Sequence, residues 1–175
     1  MDHDGLFIDE YEEGDLVEIL EIERDSFPTP WSPGLFRGEM ANSISRMLVG
    51  KALQAQGMVV VGYVVFWRVV DEIHLHNIAV RRDLRKCGIA SRLLSKVIRD
   101  CRPEGARFVT LEVRRSNLPA QKLYESFGFS VRGVRHGYYT DTGEDALIMS
   151  ADLEQIPSEL EPPSGQCGAT HENSA

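Results

Sequence analysis

The stretch IHLHNIAVRRDLRKCGIASRLL, residues 73–94, decides the fold of this chain. It begins as an apolar run typical of a buried strand, passes through a basic turn, and continues with the spacing of an amphipathic helix. Gly88 and Ala90 lie where that helix begins, and small residues there let a ligand approach outward-pointing backbone amides. The pattern therefore predicts a strand, an anion-binding turn and a helix in succession.

The positive charge of this turn is local. Arg81, Arg82, Arg85 and Lys86 place four cations within six positions, whereas the whole chain has a formal net charge of -8. An acidic chain is a poor general binder of nucleic acid, and it suits a cationic peptide or a basic protein as partner. We therefore expect a small anion such as a pyrophosphate in the turn, and no direct nucleic-acid contact.

Length and composition predict one domain. A chain of 175 residues with 42% hydrophobic content can bury one sizeable core but hardly two. No segment reaches the roughly 20 apolar residues of a membrane span, and the acidic N-terminus is unlike a signal peptide. The three cysteines lack metal-like spacing to the five histidines, which favours a reducing compartment and no metal. We expect a cytoplasmic protein without membrane attachment.

Hydrophobic period and turn residues predict the other elements. The expected strands are 6–11, 47–53, 58–69, 73–80, 107–113, 129–135 and 144–153. The expected helices are 16–27, 33–42, 88–101 and 118–127, with Asp15 and Ser32 as N-caps. Alternating strands and helices predict an α/β fold in which one mixed sheet is flanked by about four helices.

Composition changes near residue 154. Residues 5–153 carry the periodic apolar pattern, whereas 154–175 are rich in Pro, Ser, Gly and Glu and have almost no large apolar groups. Such a segment buries too little apolar surface to offset the entropy of ordering. We expect a folded domain over 5–153 and a disordered C-terminal tail over 154–175.

Two motifs resemble the Gcn5-related N-acetyltransferase (GNAT) superfamily. RKCGIA at 85–90 is similar to its acetyl-CoA-binding pattern, Gln/Arg-x-x-Gly-x-Gly/Ala. LEVRRSNLPAQKLYESFGFSVRGVRHGYY at 111–139 is more specific, because it supplies an Asn, an Ala-x-x-Leu-Tyr helix and a Gly-Phe pair in the family's order. The resemblance implies the GNAT acyltransferase fold, acetyl-CoA as co-substrate and N-acetyltransferase activity.

Within the superfamily the chain most resembles the RimI-like group, the bacterial ribosomal-protein alanine N-acetyltransferases. The segments that carry this likeness are PWS at 30–32, HNIAV at 76–80, LEVRRSN at 111–117, YY at 138–139 and EDALIM at 144–149. The resemblance implies acetyl transfer to the N-terminal α-amine of a protein, most closely the N-terminal alanine of a small-subunit ribosomal protein.

Four positions depart from the pattern of that group. They are Arg85 where Gln is common, Cys87, Ala90 in place of the last Gly, and Gly137 where Asn is frequent. Only the last of these touches expected peptide contacts.

Acetyl transfer requires a base and an acid, because the amine must be neutral to attack a thioester and the departing thiolate needs a proton. Glu112 is the candidate base, since it interrupts an apolar strand and the resemblance places a base there. Tyr124 is the candidate acid, because a phenol can donate a proton to the developing thiolate. The competing interpretations are a solvent-facing strand Glu and a core aromatic.

The resemblance also implies a cofactor site built largely from the main chain. Backbone groups of 78–80 would pair with pantetheine as an added strand, and amides of 86–91 would hold the pyrophosphate. The predicted cofactor-binding residues are Ile78, Ala79, Val80, Arg85, Lys86, Cys87, Gly88, Ile89, Ala90, Ser91 and Asn117. Asn117 is equally suited to cap the following helix.

Two other features of this region have plain interpretations. Cys87 lies in the basic turn and is interpreted as a small filler rather than a redox group. His74 and His76 alternate along one strand face, but no nearby carboxylate pair completes a metal site.

Acidic and aromatic residues are candidates for the peptide site. Glu23, Trp31, Tyr138 and Tyr139 are predicted to bind the substrate, with Asp141 as a further wall. Acidic groups would attract a cationic N-terminus. The alternative is that Trp31 packs a helix hairpin and the tyrosines line a sheet edge.

Two other functions compete with N-terminal acetylation. An acetyltransferase for lysine side chains or small polyamines would share every cofactor residue. A non-catalytic module that binds CoA or a partner would need neither acid nor base, so the presence of both Glu112 and Tyr124 speaks against it.

Overall fold

The computed structural model describes residues 5–55 and 57–157, in which strands and helices alternate. The strands are β1 Leu6–Glu10, β2 Ser45–Gln54, β3 Gly57–Val69, β4 Glu72–Val80, β5 Phe108–Arg114, β6 Ser130–Tyr139 and β7 Glu144–Asp152. The helices are α1 Leu16–Ser26, α2 Pro33–Ala41, α3 Ile89–Cys101 and α4 Leu118–Ser126. Every predicted element is present, and only β6 extends well beyond its predicted end.

The strands form one seven-stranded sheet in the order β1-β2-β3-β4-β5-β7-β6. Strands β4 and β5 are parallel, and every other pair is antiparallel. Parallel neighbours need a crossover, which α3 supplies on its way from β4 to β5. The predicted α/β class with a mixed sheet is confirmed.

Helices cover both faces of this sheet. The larger buried cluster packs α3 and α4 on one face, with Leu93 and Leu94 of α3 fully buried. The smaller cluster packs α1 and α2 on the other face through residues such as Ile19 and Phe36. The sheet therefore lies between two layers of helices.

The pairing of β4 with β5 is short. It runs from Glu72 opposite Phe108 to Leu75 opposite Leu111, after which both strands continue without pairing to each other. Beside this point β4 bulges against β3, because Val65 faces Asn77 and Phe66 faces Leu75. His76 is the extra residue of that bulge, and a bulge bends its strand. Strand β4 therefore turns away from β5, and a cleft opens between them.

One of the two predicted N-caps makes a capping hydrogen bond. The Ser32 hydroxyl accepts from the Leu35 amide at 3.2 Å, as expected. Asp15 precedes α1 but makes no side-chain cap bond. Its carboxylate accepts from the Glu12 amide at 3.0 Å and pairs with Lys51 at 2.7 Å, so it joins α1 to β2 instead.

The packed domain continues past residue 153. Ile156 is 5% exposed and belongs to the larger core. One nitrogen of the Arg102 guanidinium donates to the carbonyls of Leu153 at 2.6 Å and Ile156 at 2.8 Å. The boundary therefore lies at least three residues later than predicted, and residues 158–175 of the expected tail lie outside the described residues. No helix within 5–55 and 57–157 combines the length and apolar character of a membrane span.

Candidate active site

The cleft between β4 and β5 exposes an edge of β4. Residues 78–80 pair with β3 on one side only, with Val80 opposite Gly62. Their other edge faces the space that β5 has left, so its amides and carbonyls are placed to pair with an extended ligand. Gly62 permits this arrangement, because a Cβ there would lie 2.9 Å from the Ala79 carbonyl oxygen.

The turn after β4 presents the N-terminus of α3. Lys86 and Gly88 both take left-handed backbone conformations, with φ of 68° and 79°. Gly88 is the N-cap and has no side chain with which to satisfy the first amides of the helix. The amides of Ile89, Ala90 and Ser91 therefore have no acceptor within the helix, and the helix dipole adds positive potential there. This end of α3 suits a phosphate group.

Arg85 connects the turn to α1. Its Nε donates to the Val80 carbonyl at 3.2 Å, while Nη2 donates to the Ser26 hydroxyl at 3.0 Å and the Asp25 carbonyl at 3.4 Å. The guanidinium thus holds the turn against the C-terminal end of α1. Arg82 and Lys86 remain exposed beside the turn.

Glu112 lies where the two strands separate. Its neighbours Leu111 and Val113 are buried in the core under α3, so alternation along β5 turns Glu112 to the opposite face. The carboxylate is 3.2 Å from the Arg135 guanidinium on β6. This contact holds the candidate base at the inner end of the cleft.

Tyr124 projects from α4 into the core. It is 6% exposed, and its ring centroid lies 5.5 Å from that of Phe129. Burial raises the pKa of Tyr124 well above its usual value, and the nearby Tyr139 raises it further. The phenol therefore stays protonated at neutral pH, as a proton donor must.

Tyr139, the last residue of β6, lies within electrostatic reach of both candidate catalytic groups. Its ring lies under the Arg114 guanidinium at 3.8 Å, and its pKa is raised to about 12, chiefly by burial and against the effect of Arg114. The negative charge of Glu112 contributes to this rise, so the two groups lie within electrostatic reach of each other. Tyr138 stands perpendicular to Tyr139 and is 43% exposed, on the solvent side.

The predicted contact between Glu23 and substrate is not supported by the fold, because this carboxylate faces the interior. It is 1% exposed and accepts hydrogen bonds from the Tyr63 hydroxyl, the Asn77 amide at 3.1 Å and the Trp31 backbone amide at 2.7 Å. Helical spacing places Glu23 on the buried face of α1 with Ile22, where a charge needs several partners. Its effect on the cleft is to fix the main chain at Trp31.

Trp31 itself is half-buried. Its ring centroid is 5.3 Å from that of Phe36, so it packs the corner between α1 and α2, as the structural alternative proposed. The exposed part of the ring leaves peptide contact open as a prediction.

Comparisons with known proteins decide the family. A sequence model described as the acetyltransferase (GNAT) family matches residues 16–129. The chain belongs to this family. Membership confirms the predicted GNAT fold and N-acetyltransferase class.

Two curated relatives and one crystal structure are informative. The Escherichia coli ribosomal protein bS18-alanine N-acetyltransferase is 36% identical over 148 residues, covering 83% of this chain and 97% of its own. A Bacillus subtilis protein, provisionally named for the same activity, is 39% identical over 142 residues, covering 81% of this chain and 91% of its own. The crystal structure of the Escherichia coli ribosomal-protein-S18-alanine N-acetyltransferase aligns with a TM-score of 0.75 at 32% identity, over 89% of this chain and 98% of that one. The resemblance to the RimI-like group is confirmed.

The GNAT cleft has a bridge that sequence reasoning missed. The Asp141 carboxylate accepts from the Thr29 hydroxyl at 2.8 Å and pairs with Arg114 at 2.7 Å. It thereby links the connection between α1 and α2 to the turn between β6 and β7. Thr29 and Asp141 are 112 residues apart, and nothing in the local pattern signals their contact. Only the acidic character of Asp141 was visible in the sequence.

Two further cofactor candidates are Asn117 and Cys87. Asn117 caps α4, because its side-chain oxygen accepts from the Ala120 amide at 3.2 Å, and cofactor contact stays a prediction. Cys87 is half-buried with its sulfur 3.8 Å from the Arg85 carbonyl oxygen. Within 5–55 and 57–157 no three His, Cys, Asp or Glu side chains converge as a metal site would require.

Proposed function

We propose that the protein transfers the acetyl group of acetyl-CoA to the N-terminal α-amine of a protein, and that this substrate is the N-terminal alanine of ribosomal protein bS18. The observation that carries the proposal is the position of Glu112, the first residue of β5 beyond its last pair with β4. A carboxylate at that point can serve an amine that meets a thioester lying in the cleft.

The part of the cleft formed by the start of α3 and the open edge of 78–80, here called the donor half, fits acetyl-CoA. The pyrophosphate would bind the amides at the start of α3, and Arg82 and Lys86 add positive charge beside it. The pantetheine arm would extend along the open edge of 78–80, with backbone pairing like that of an added strand. An arm in that direction runs toward the point of strand separation, so its thioester arrives beside Glu112.

Glu112 would act as the base. An N-terminal amine has a pKa of about 7.7–8.0, so a carboxylate can assist its deprotonation, directly or through water, without an extreme pKa shift. Once that first proton has passed to solvent, the neutral amine attacks the thioester carbonyl, and Glu112 takes the second proton from nitrogen as the amide forms.

Tyr124 would act as the acid. When the tetrahedral intermediate collapses, the C–S bond breaks and the thiolate takes the phenolic proton. Its raised pKa keeps that proton in place until the negative charge develops on sulfur.

The other part of the cleft, here called the acceptor half, would receive the amine. It suits the N-terminus of a polypeptide. The Thr29–Asp141 bridge narrows the opening between two loops, which favours an extended N-terminus over a folded surface. Two findings support bS18 as the substrate. The names of the relatives give that substrate, and this chain aligns with 91% and 97% of their lengths. The net charge of -8 suits a basic partner rather than nucleic acid, and a ribosomal substrate would be met in the cytoplasm.

The test is acetyl-CoA turnover on peptides that carry the bS18 N-terminus with a free or a blocked amine. Wild type would be compared with Glu112→Gln, Tyr124→Phe and, as a matched control, Glu125→Gln on the exposed side of α4. We expect turnover only with a free N-terminus, a fall of at least about tenfold in the first two variants, and none in the control. Acetyl-CoA binding, followed by calorimetry, should be unchanged in all four proteins.

Two results would contradict this function. Faster turnover of lysine-only peptides than of free N-termini would make the protein a lysine or small-amine acetyltransferase. Binding of acetyl-CoA without turnover of any amine would make it a non-catalytic module.

The C-terminal segment should be dispensable, by our proposal. Its composition offers no anchor for a partner, so removal of residues 158–175 is expected to leave turnover intact. Truncation is placed after Pro157 because Ile156 belongs to the core. A large loss of turnover in this variant would show that the segment takes part in substrate capture.

A further inference from the structure

His76 and Glu112 occupy equivalent positions on the two sides of the cleft. The last paired residues of β4 and β5 are Leu75 and Leu111, so His76 and Glu112 are the first residues past the separation. Both leucines are buried in the core under α3. Alternation along each strand therefore turns His76 and Glu112 to the opposite face, where the acceptor enters.

The β-bulge strengthens this placement. An extra residue in a strand puts two neighbours on nearly the same face, here His76 and Asn77. Asn77 is fixed to the buried Glu23 at 3.1 Å, while His76 remains exposed at the cleft. The imidazole can therefore reach both the cleft and solvent.

The His76 ring packs against Trp67 and lies within electrostatic reach of Glu39 on α2 and Glu112 on β5. It lies 4.1 Å from the Trp67 ring of β3, whose indole N–H donates to Glu39 of α2 at 2.6 Å. Partial burial under this ring lowers the pKa of His76, and His74 lowers it further, whereas the charges of Glu39 and Glu112 raise it. The balance leaves a neutral imidazole at neutral pH, able to accept a proton.

The proposed reaction removes two protons from the substrate nitrogen. A substrate ammonium carries three N–H bonds and the product amide carries one, so two protons leave nitrogen. One of them is balanced by the proton that Tyr124 gives to the thiolate, and the other goes to solvent. Glu112 is a single acceptor whose carboxylate is also engaged by Arg135 at 3.2 Å.

We propose that His76 is a second proton acceptor of this site and a further catalytic residue. The inference rests on the function proposed above. The imidazole takes the first proton from the ammonium, which frees the lone pair for attack on the thioester, and releases that proton to solvent. Glu112 takes the second proton from the tetrahedral intermediate, Tyr124 protonates the departing thiolate, and the proton on Glu112 restores Tyr124.

The first test compares His76→Gln with His74→Gln. His74 lies on the same strand and pairs with Glu72 at 3.0 Å, but it sits beside Thr110 in the paired region, before the separation. We expect kcat/KM on a free bS18 N-terminal peptide to fall at least about tenfold in His76→Gln and to stay near wild type in His74→Gln.

The pH profile separates catalysis from structure. In wild type, kcat/KM should fall as pH drops through the His76 pKa, below the usual histidine value, because an imidazolium cannot accept a proton. His76→Gln should lack this acidic limb, and His74→Gln should keep it. A slow His76→Gln enzyme that keeps the limb would overturn the proposal.

The second test uses a substrate amine that is already neutral before it binds, so that no first deprotonation is needed. A peptide with an N-terminal aminooxyacetyl group is already neutral at the assay pH. His76→Gln should therefore acetylate it at the wild-type rate, which also shows that the variant is folded. An equal loss on both peptides would overturn the role of His76.

The outcomes distinguish the two proposals. Wild-type turnover of free N-termini with unchanged kcat/KM in His76→Gln would remove His76 and leave the proposed function standing. Absence of wild-type turnover on any free N-terminus would remove the function and, with it, this inference.

Discussion

The two halves of the cleft are built by different means. The donor half consists of main-chain groups, namely the amides at the start of α3 and the open edge of 78–80. The acceptor half depends on side chains, because the Glu23 carboxylate joins Tyr63, Asn77 and the Trp31 backbone. One half is therefore set by backbone geometry, and the other by the identity of individual residues.

This difference explains where the chain can depart from the RimI-like pattern. Arg85, Cys87 and Ala90 all fall in the donor half, where backbone amides do the binding and side-chain identity has little influence. Gly137 falls beside the acceptor half, where its amide donates to Asp145 at 3.0 Å. Substitutions should accordingly be tolerated in the donor half unless they move the backbone.

Among substitutions in the acceptor half, Glu23→Ala is expected to destabilise the protein most. It leaves the Tyr63 hydroxyl, the Asn77 amide and the Trp31 amide without their acceptor in a buried site. We expect the free energy of unfolding to fall by about 3 kcal/mol, and by less in Glu23→Gln, which keeps the volume and one oxygen. Urea denaturation measures both.

Kinetic measurements on the Glu23 variants test whether the donor and acceptor halves are independent. Glu23→Gln should raise KM for the peptide more than KM for acetyl-CoA, since it loosens Trp31 and leaves α3 unchanged. Glu21→Gln, on the exposed face of the same helix, is the control and should match wild type. Equal rises in both KM values would show that the halves are not independent.

The corresponding break in the donor half is Gly62→Ala. The added Cβ would lie 2.9 Å from the Ala79 carbonyl oxygen and 3.2 Å from the Ile89 side chain, so β4 and the start of α3 must shift. We expect a loss of about 2 kcal/mol in unfolding free energy. KM for acetyl-CoA should rise more than KM for the peptide.

Gly133→Ala is the matched strand control for that substitution. Its Cβ would meet only the Ile148 side chain, at 3.5 Å, which is ordinary contact. If Gly62→Ala behaved like this control, close approach of β3 to β4 would not be what shapes the donor half.

The sequence predicted the donor half better than the acceptor half for a physical reason. Strand period, the basic turn and the helix start all lie within residues 73–94, so local pattern contained the information. The caps at Ser32 and Asn117 were visible for the same reason, because capping joins residues three positions apart.

The acceptor half depends on contacts that local pattern does not encode. Glu23 stands 40 residues from Tyr63 and 54 from Asn77. The acidic character of Glu23 suggested a substrate contact, whereas its carboxylate is buried between α1 and the sheet. The bulge at His76 also went unseen, because a bulge is a relation between two strands and needs their register.

Alkaline pH should affect both halves together. Burial raises the pKa of Tyr63 in the acceptor half and of Tyr124 behind the donor half. A folded-state pKa above the unfolded value of about 10 contributes stability that is complete below pH 10 and is lost as pH rises through the folded-state value. We expect unfolding free energy to fall above about pH 10, by about 1.4 kcal/mol per pH unit for each such tyrosine.

Tyrosinate absorbance provides the measurement. In the folded protein the phenolate signal of these buried tyrosines should appear only with unfolding, so Tyr63→Phe should weaken the pH dependence of stability. Ordinary titration of every tyrosine near pH 10 without loss of structure would contradict this expectation.

The smallest expected effect concerns the bridge between the two loops. Thr29→Val removes the donor to Asp141, which keeps its pair with Arg114, so no charge is left alone. Because Thr29 is exposed, we expect less than about 1 kcal/mol of destabilisation. The peptide KM should change by about twofold to fivefold, corresponding to loss of one modest hydrogen bond, while KM for acetyl-CoA stays constant. Thr140→Val, exposed in the neighbouring turn, is the control. A peptide KM that does not respond would mean that the bridge lies outside the acceptor path, and the side-chain half would then reduce to the buried network around Glu23.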